Sequence, residues 1–194
     1  MNRSGPDMAM GLSIKLAAQA KRFWARLGTD RRGVSAVEFA LIAPVMIVIL
    51  FGVIEISMLM TVDRKVTRAT SAIADLVAQD DIITADEMID IFTATSTIMQ
   101  PYDANGMQMR VSSVVMANDG SVAVDWSEAQ SMSARAPGSA VSVPAGILQP
   151  NSSIVMAEVR YNYSSNLGTF LSTPILLKET FYLRPRRALK VTGP

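Results

Sequence analysis

The chain has 194 residues, 49% of them hydrophobic, with 18 Lys and Arg against 17 Asp and Glu, and neither histidine nor cysteine. A net charge near zero excludes a global field for nucleic acid, and the missing cysteine excludes a disulfide framework and thiolate metal sites without deciding the compartment. The missing histidine removes the commonest general base and the commonest metal ligand together. No P-loop, dinucleotide fingerprint or nucleophile–base arrangement is legible, so the sequence predicts no enzyme, no catalytic residue, no metal or other cofactor and no small-molecule substrate. Beyond an anchor, the length leaves room for one modest domain.

Residues 1–33 form a basic leader. Leu12, Leu16, Ala20, Phe23 and Leu27 recur at spacings of three and four, with Lys15, Arg22 and Arg26 on another face and Trp24 nearby. That pattern suits a helix lying on an anionic membrane surface; a loosely structured leader that only supplies positive charge fits it equally. Thr29 to Gly33 is polar and reads as extended.

Gly33 is followed by four residues and then Glu38-Phe39, and Phe39 to Ile54 contains no charged residue. A carboxylate entering hydrocarbon is costly, so Glu38 is a functional candidate. A cut after Gly33 would leave a free amine at Val34, one helical turn from that carboxylate. Pairing the ammonium of one subunit with Glu38 of a neighbour would satisfy both buried charges and fix axial register. The plainer reading of Glu38 is an acid tolerated at the membrane interface.

A span needs roughly 20 mostly apolar residues. Ala36 to Val62 meets this with Glu38 and Glu55 as its only charges, giving a transmembrane helix over residues 34–62. Before it stand Arg3, Lys15, Lys21, Arg22, Arg26, Arg31 and Arg32 against Asp7 and Asp30. Positive flanks stay in the cytoplasm, so the N-terminus is expected there and residues 63–194 outside. Pro44 lacks an N–H and is expected to bend the helix. Glu55 reads either as an acid reaching water at the outer edge or as a helix contact with another subunit. Gly52 and Ser57 would allow close approach in that second case.

The run from Arg31-Arg32-Gly33-Val34-Ser35-Ala36-Val37-Glu38-Phe39-Ala40-Leu41 through Pro44 to Gly52-Val53-Ile54-Glu55 resembles the processing site and anchor of type IV prepilins. It is most similar to the TadE-like pseudopilins of the Tad (tight adherence) system, over roughly Arg31 to Arg68. The resemblance implies an aspartyl prepilin peptidase cutting Gly33–Val34, and Glu38 and Phe39 as the processing and assembly motif. It further implies a single-pass protein of the inner membrane with its C-terminal domain in the periplasm. Its partners would be that peptidase, other Tad pseudopilins, inner-membrane assembly proteins and the lipid bilayer.

Val62, Val66, Ala69, Ile73 and Leu76 keep the helical spacing past Asp63-Arg64-Lys65, so the helix is expected to leave the membrane unbroken and run to about Ala78. Asp80-Asp81 ends it. Thr84-Ala85-Asp86-Glu87 reads as a capping box opening a second helix whose face is Met88, Ile91, Phe92, Thr95 and Ile98. The two helices either pair antiparallel or both lie on one face of a sheet. The acids Asp80, Asp81, Asp86, Glu87 and Asp90 match no EF-hand spacing and read as a solvated helix start.

From Met107 the period becomes two. Met107–Met116 and Ser121–Ser127 alternate around the turn signal Asn118-Asp119-Gly120. Ser131 to Gly146 reads as an exposed loop. Ser153–Tyr163 is the clearest strand, and Leu176–Leu183 another. The fold expected is α+β: a pilin-like long N-terminal transmembrane helix, a second helix, and an antiparallel β-meander of about four strands. Tyr161, Tyr163, Phe181 and Tyr182 read as core and cross-strand pairs, and the 13 methionines as gap-filling. Arg184-Pro185-Arg186-Arg187 reads as a grip on a membrane surface or acidic partner, or as a solvated basic tail. With the resemblance, the whole implies a minor pseudopilin serving biogenesis of Flp-type pili for adhesion and biofilm formation. The alternative is a signal-anchored periplasmic binding or sensor module.

Overall fold

The computed structural model describes residues 31–194; the proposed amphipathic helix of the leader lies outside the described residues. Helix α1 spans Arg31–Gln79, 49 residues, and passes through Pro44 without ending. The chain divides into two compact units, Met1–Phe51 and Gly52–Pro194. The described part of the first is helical and carries exposed Val37, Leu41, Val45, Ile49 and Leu50. A helix uncharged from Phe39 to Ile54 that turns its apolar side chains outward suits an apolar solvent, and α1 has the length and composition to cross a membrane.

In the second unit, α1 changes character. Val62, Val66, Ala69, Ile73 and Val77 are fully or almost fully buried at spacings of three and four, and Leu59 packs beside them. Arg31 to Gly33 are already helical. This corrects the extended reading of the leader's end: nothing in the sequence after Gly33 stops the helix from propagating back by a turn.

Helix α2 (Ala85–Thr97) starts at the predicted capping box. The Thr84 N–H donates to Glu87 Oε2 at 2.8 Å, and the Glu87 N–H donates to Thr84 Oγ1 at 3.3 Å. Met88, Phe92 and Thr95 are its buried face. Four strands follow: β1 (Gln108–Met116), β2 (Val122–Gln130), β3 (Ser153–Tyr163) and β4 (Ile175–Leu183). Alternate residues of β3, Val155, Ala157, Val159, Tyr161 and Tyr163, share one apolar core with α1 and α2. The other parity, Ile154 and Met156, joins Val114 and Leu148 in a second cluster with Tyr182 packed against it.

The sheet is antiparallel and four-stranded, but its order is β2-β1-β3-β4. That corrects the meander, in which β3 would have paired with β2. The reason lies in the long connection 131–152. It folds back on the outer edge of β2, where Ala123 and Ala140 form a bridge and the Gly138 N–H donates to Val124 O at 2.7 Å. With that edge occupied, β3 pairs with β1, from Gln108 opposite Arg160 to Val115 opposite Ser153. The same connection, through Val141, Val143, Ile147 and Leu148, covers the second cluster.

Candidate functional site

Gly33, Val34, Glu38 and Phe39 all lie in the first turns of α1. Residues four apart share a helix face, so Val34 and Glu38 stand one above the other. Val34 and Phe39 are 66% and 73% exposed, and Glu38 is exposed. A Cβ added at Gly33 would meet nothing within 4 Å, so Gly33→Ala is sterically free. Glycine lowers helix stability by about 1 kcal/mol relative to alanine, which makes this first turn easy to unwind. The segment thus presents an openable backbone, a bond with no side chain on its Gly33 side and the exposed Val34 on the other, and an acid one turn from the amine that cutting would create.

Gly52 and Glu55, the other residues singled out on the span, face the chain's own β3–β4 loop. Glu55 is completely buried. Its Oε1 accepts the Thr169 N–H at 2.7 Å and the Ser165 hydroxyl at 3.2 Å. Its Oε2 accepts the Phe170 and Leu171 N–H groups at 2.9 and 3.0 Å. Successive backbone amides turned toward one anion make a nest. Gly168 at φ +60° provides the left-handed turn just before it, and its N–H donates to Ser165 Oγ at 3.3 Å. One turn earlier, a Cβ on Gly52 would come within 3.9 Å of the Phe170 ring, an ordinary contact. The structure therefore gives Glu55 four donors of its own domain and removes it from water.

Sequence reasoning missed a second held carboxylate. On the β1 and β3 register pair Arg110–Glu158, the Arg110 guanidinium is bidentate, at 2.7 and 2.9 Å. Arg135, from the β2–β3 connection, adds contacts at 2.9 and 3.0 Å. Burial pushes the Glu158 carboxyl up, but the hydrogen bonds and charges of Arg110 and Arg135 outweigh it and hold it below its ordinary value. No signal in the sequence links residues 110, 135 and 158; the strand register does.

Among the acids near α2, Glu87 acts locally. The Thr84 backbone and side-chain hydrogen bonds hold the Glu87 carboxyl below its ordinary value. Among the described residues, no three Asp or Glu gather as a metal site would need. The basic tail is a strap on the domain. Arg186 pairs with Asp75 and Arg187 reaches Asp80 at 3.9 Å. The Arg186 N–H donates to Ala78 O, the Thr192 N–H to Asp81 O, and the Trp126 indole N–H to Val191 O. Gly193 lies flat against Trp126, where any Cβ would collide with the indole.

No curated protein and no solved structure matches the chain. Residues 33–75 match the model of the family described as TadE-like protein. The match opens on the candidate cleavage glycine, takes in Glu38, Gly52 and Glu55, and ends at the residue that pairs with Arg186. Over that segment, from Gly33 to the domain-facing end of α1, the chain is similar to TadE-like proteins.

Proposed function

We propose that the protein is a minor pseudopilin-like component of Tad pilus assembly, cut by a prepilin peptidase between Gly33 and Val34. The observation that carries this reading is the TadE-like match beginning at residue 33, where Gly33 and Glu38-Phe39 precede a helical run that is uncharged to Ile54 and apolar on its exposed faces. The protein sits in the inner membrane with a single pass over residues 34–62, its N-terminus in the cytoplasm and residues 63–194 in the periplasm. Its role is assembly, with other Tad pseudopilins and inner-membrane assembly proteins as partners, in biogenesis of Flp-type pili for adhesion and biofilm formation. A domain this large on the helix favours a minor part over that of the bulk fibre subunit.

Glu38 supplies the assembly chemistry. After cutting, the Val34 ammonium of one subunit and the Glu38 carboxylate of its neighbour neutralise each other inside the bilayer. An ion left unpaired there costs several kcal/mol, so only one stagger of neighbouring helices is favoured.

The test is expression with a C-terminal tag, with and without the cognate peptidase, followed by N-terminal sequencing. A product starting at Val34, lost in Gly33→Ala, is expected. Full-length protein under both conditions would overturn the reading and leave a signal-anchored periplasmic module. Glu38→Ala is expected to be cut but to fail in co-purification with partner pseudopilins.

A further inference from the structure

The β3–β4 loop, residues 164–174, holds a place on α1 that a water-exposed loop would not choose. Glu55 grips it eight residues before Asp63, the first charged residue after the apolar run, or about 12 Å along the axis at 1.5 Å per residue. Beside it, Val53, Ile56 and Met60 of α1 are exposed and apolar. The loop itself is adapted to the same surroundings. From Tyr161 to Leu177 there is no charged residue, and Leu167 and Phe170 at its tip are 42% and 49% exposed.

We propose that this loop is a membrane-interface element. Leu167 and Phe170 insert into the boundary between headgroups and acyl chains, on the domain's side of the bilayer that α1 crosses. The proposal rests on reading α1 as a span. Irregular backbone at that depth is tolerated only if its polar groups find partners within the protein. The Glu55 carboxylate meets this requirement by accepting three consecutive amides, those of Thr169, Phe170 and Leu171. The acid inside the apolar run therefore serves the loop: it satisfies the donors that would bar the loop from lipid. A bilayer is the favoured occupant because no residue from Tyr161 to Leu177 is charged and the loop is fastened to α1 at Glu55, within the apolar stretch Ala36–Val62.

The chain has no cysteine, so single cysteines label cleanly. Leu167→Cys, Phe170→Cys, Val48→Cys and Ala117→Cys, each in the full-length protein in nanodiscs, would carry an environment-sensitive fluorophore. Lipids bearing nitroxides at shallow or deep positions would act as quenchers. Val48 reports the span. Ala117 follows β1 and so lies at the opposite end of the sheet from the loop that follows β3. Positions 167 and 170 are expected to be blue-shifted and quenched severalfold more than 117, most strongly by the shallow nitroxide. Quenching at the level of 117, with Val48 deeply quenched, overturns the proposal while leaving the span intact. An unquenched Val48 overturns the span reading and the proposal with it. Self-quenching at 170 that rises with copies per disc would assign the surface to a second copy, and also overturns it. Glu55→Gln is expected to lower the shallow quenching at 170; unchanged quenching there refutes the holding role of Glu55.

Discussion

Two carboxylates in this chain are kept from water by different means. Glu55 is held by three backbone amides and a hydroxyl, all uncharged. Glu158 is held by two guanidiniums, Arg110 and Arg135, with its side chain 13% exposed. Removing one partner of a buried ion cluster leaves the others uncompensated, so Glu158→Gln is expected to destabilise the protein by about 3 kcal/mol. The change is read from the shift in thermal or urea unfolding of the detergent-solubilised chain. Because the folded carboxyl titrates lower than the unfolded one, its contribution is complete above the unfolded value and is lost as pH falls through the folded value. Wild type should therefore lose stability on acidification through that window, and Glu158→Gln should show a shallower loss there. An equally steep acid limb in the variant would assign the effect elsewhere. Neither carboxylate environment was legible in the sequence. The partners of Glu55 lie 110 or more residues away, and three of them are backbone amides, which every residue but proline possesses.

At the level of elements, legibility followed locality. The capping box at Thr84 and Glu87 needs only residues three apart, and it formed as read. The extension of α1 to Gln79 followed from a repeating apolar stripe, and β3 matched its predicted bounds, Ser153–Tyr163. Strand order failed because it depends on where the connection 131–152 comes to rest, and a small polar loop carries no periodic signal of that. The stripe also locates the energy. Ile73 is fully buried between α1 and the sheet, and truncating such a side chain to alanine removes apolar burial and leaves a cavity. Ile73→Ala is expected to cost about 3 kcal/mol in unfolding free energy. An equal truncation at the outward-facing Ile49 should leave the unfolding midpoint of the domain unmoved. Equal effects at both sites would deny that α1 changes solvent between them.

For the molecule as a whole, the family match and the domain divide the labour. Residues 33–75 carry what is TadE-like, and the strands lie beyond it. The orientation proposed for the chain has a direct check. A cysteine at exposed Ala117 is expected to react with a membrane-impermeant maleimide in spheroplasts without permeabilisation; reaction only after lysis would reverse the topology. The strap adds a constraint in time. Residues 186–193 reach back to Ala78, Asp81 and Trp126, so the core over α1 closes only when segments made long after the helix have arrived. With α1 as the proposed span, the helix would reach the bilayer during synthesis while Val66 and Ile73 still lack their cover, since contacts this distant in sequence form slowly. The cut proposed at Gly33 would face no such wait: every residue it needs is made early, so maturation of one end could run ahead of folding at the other.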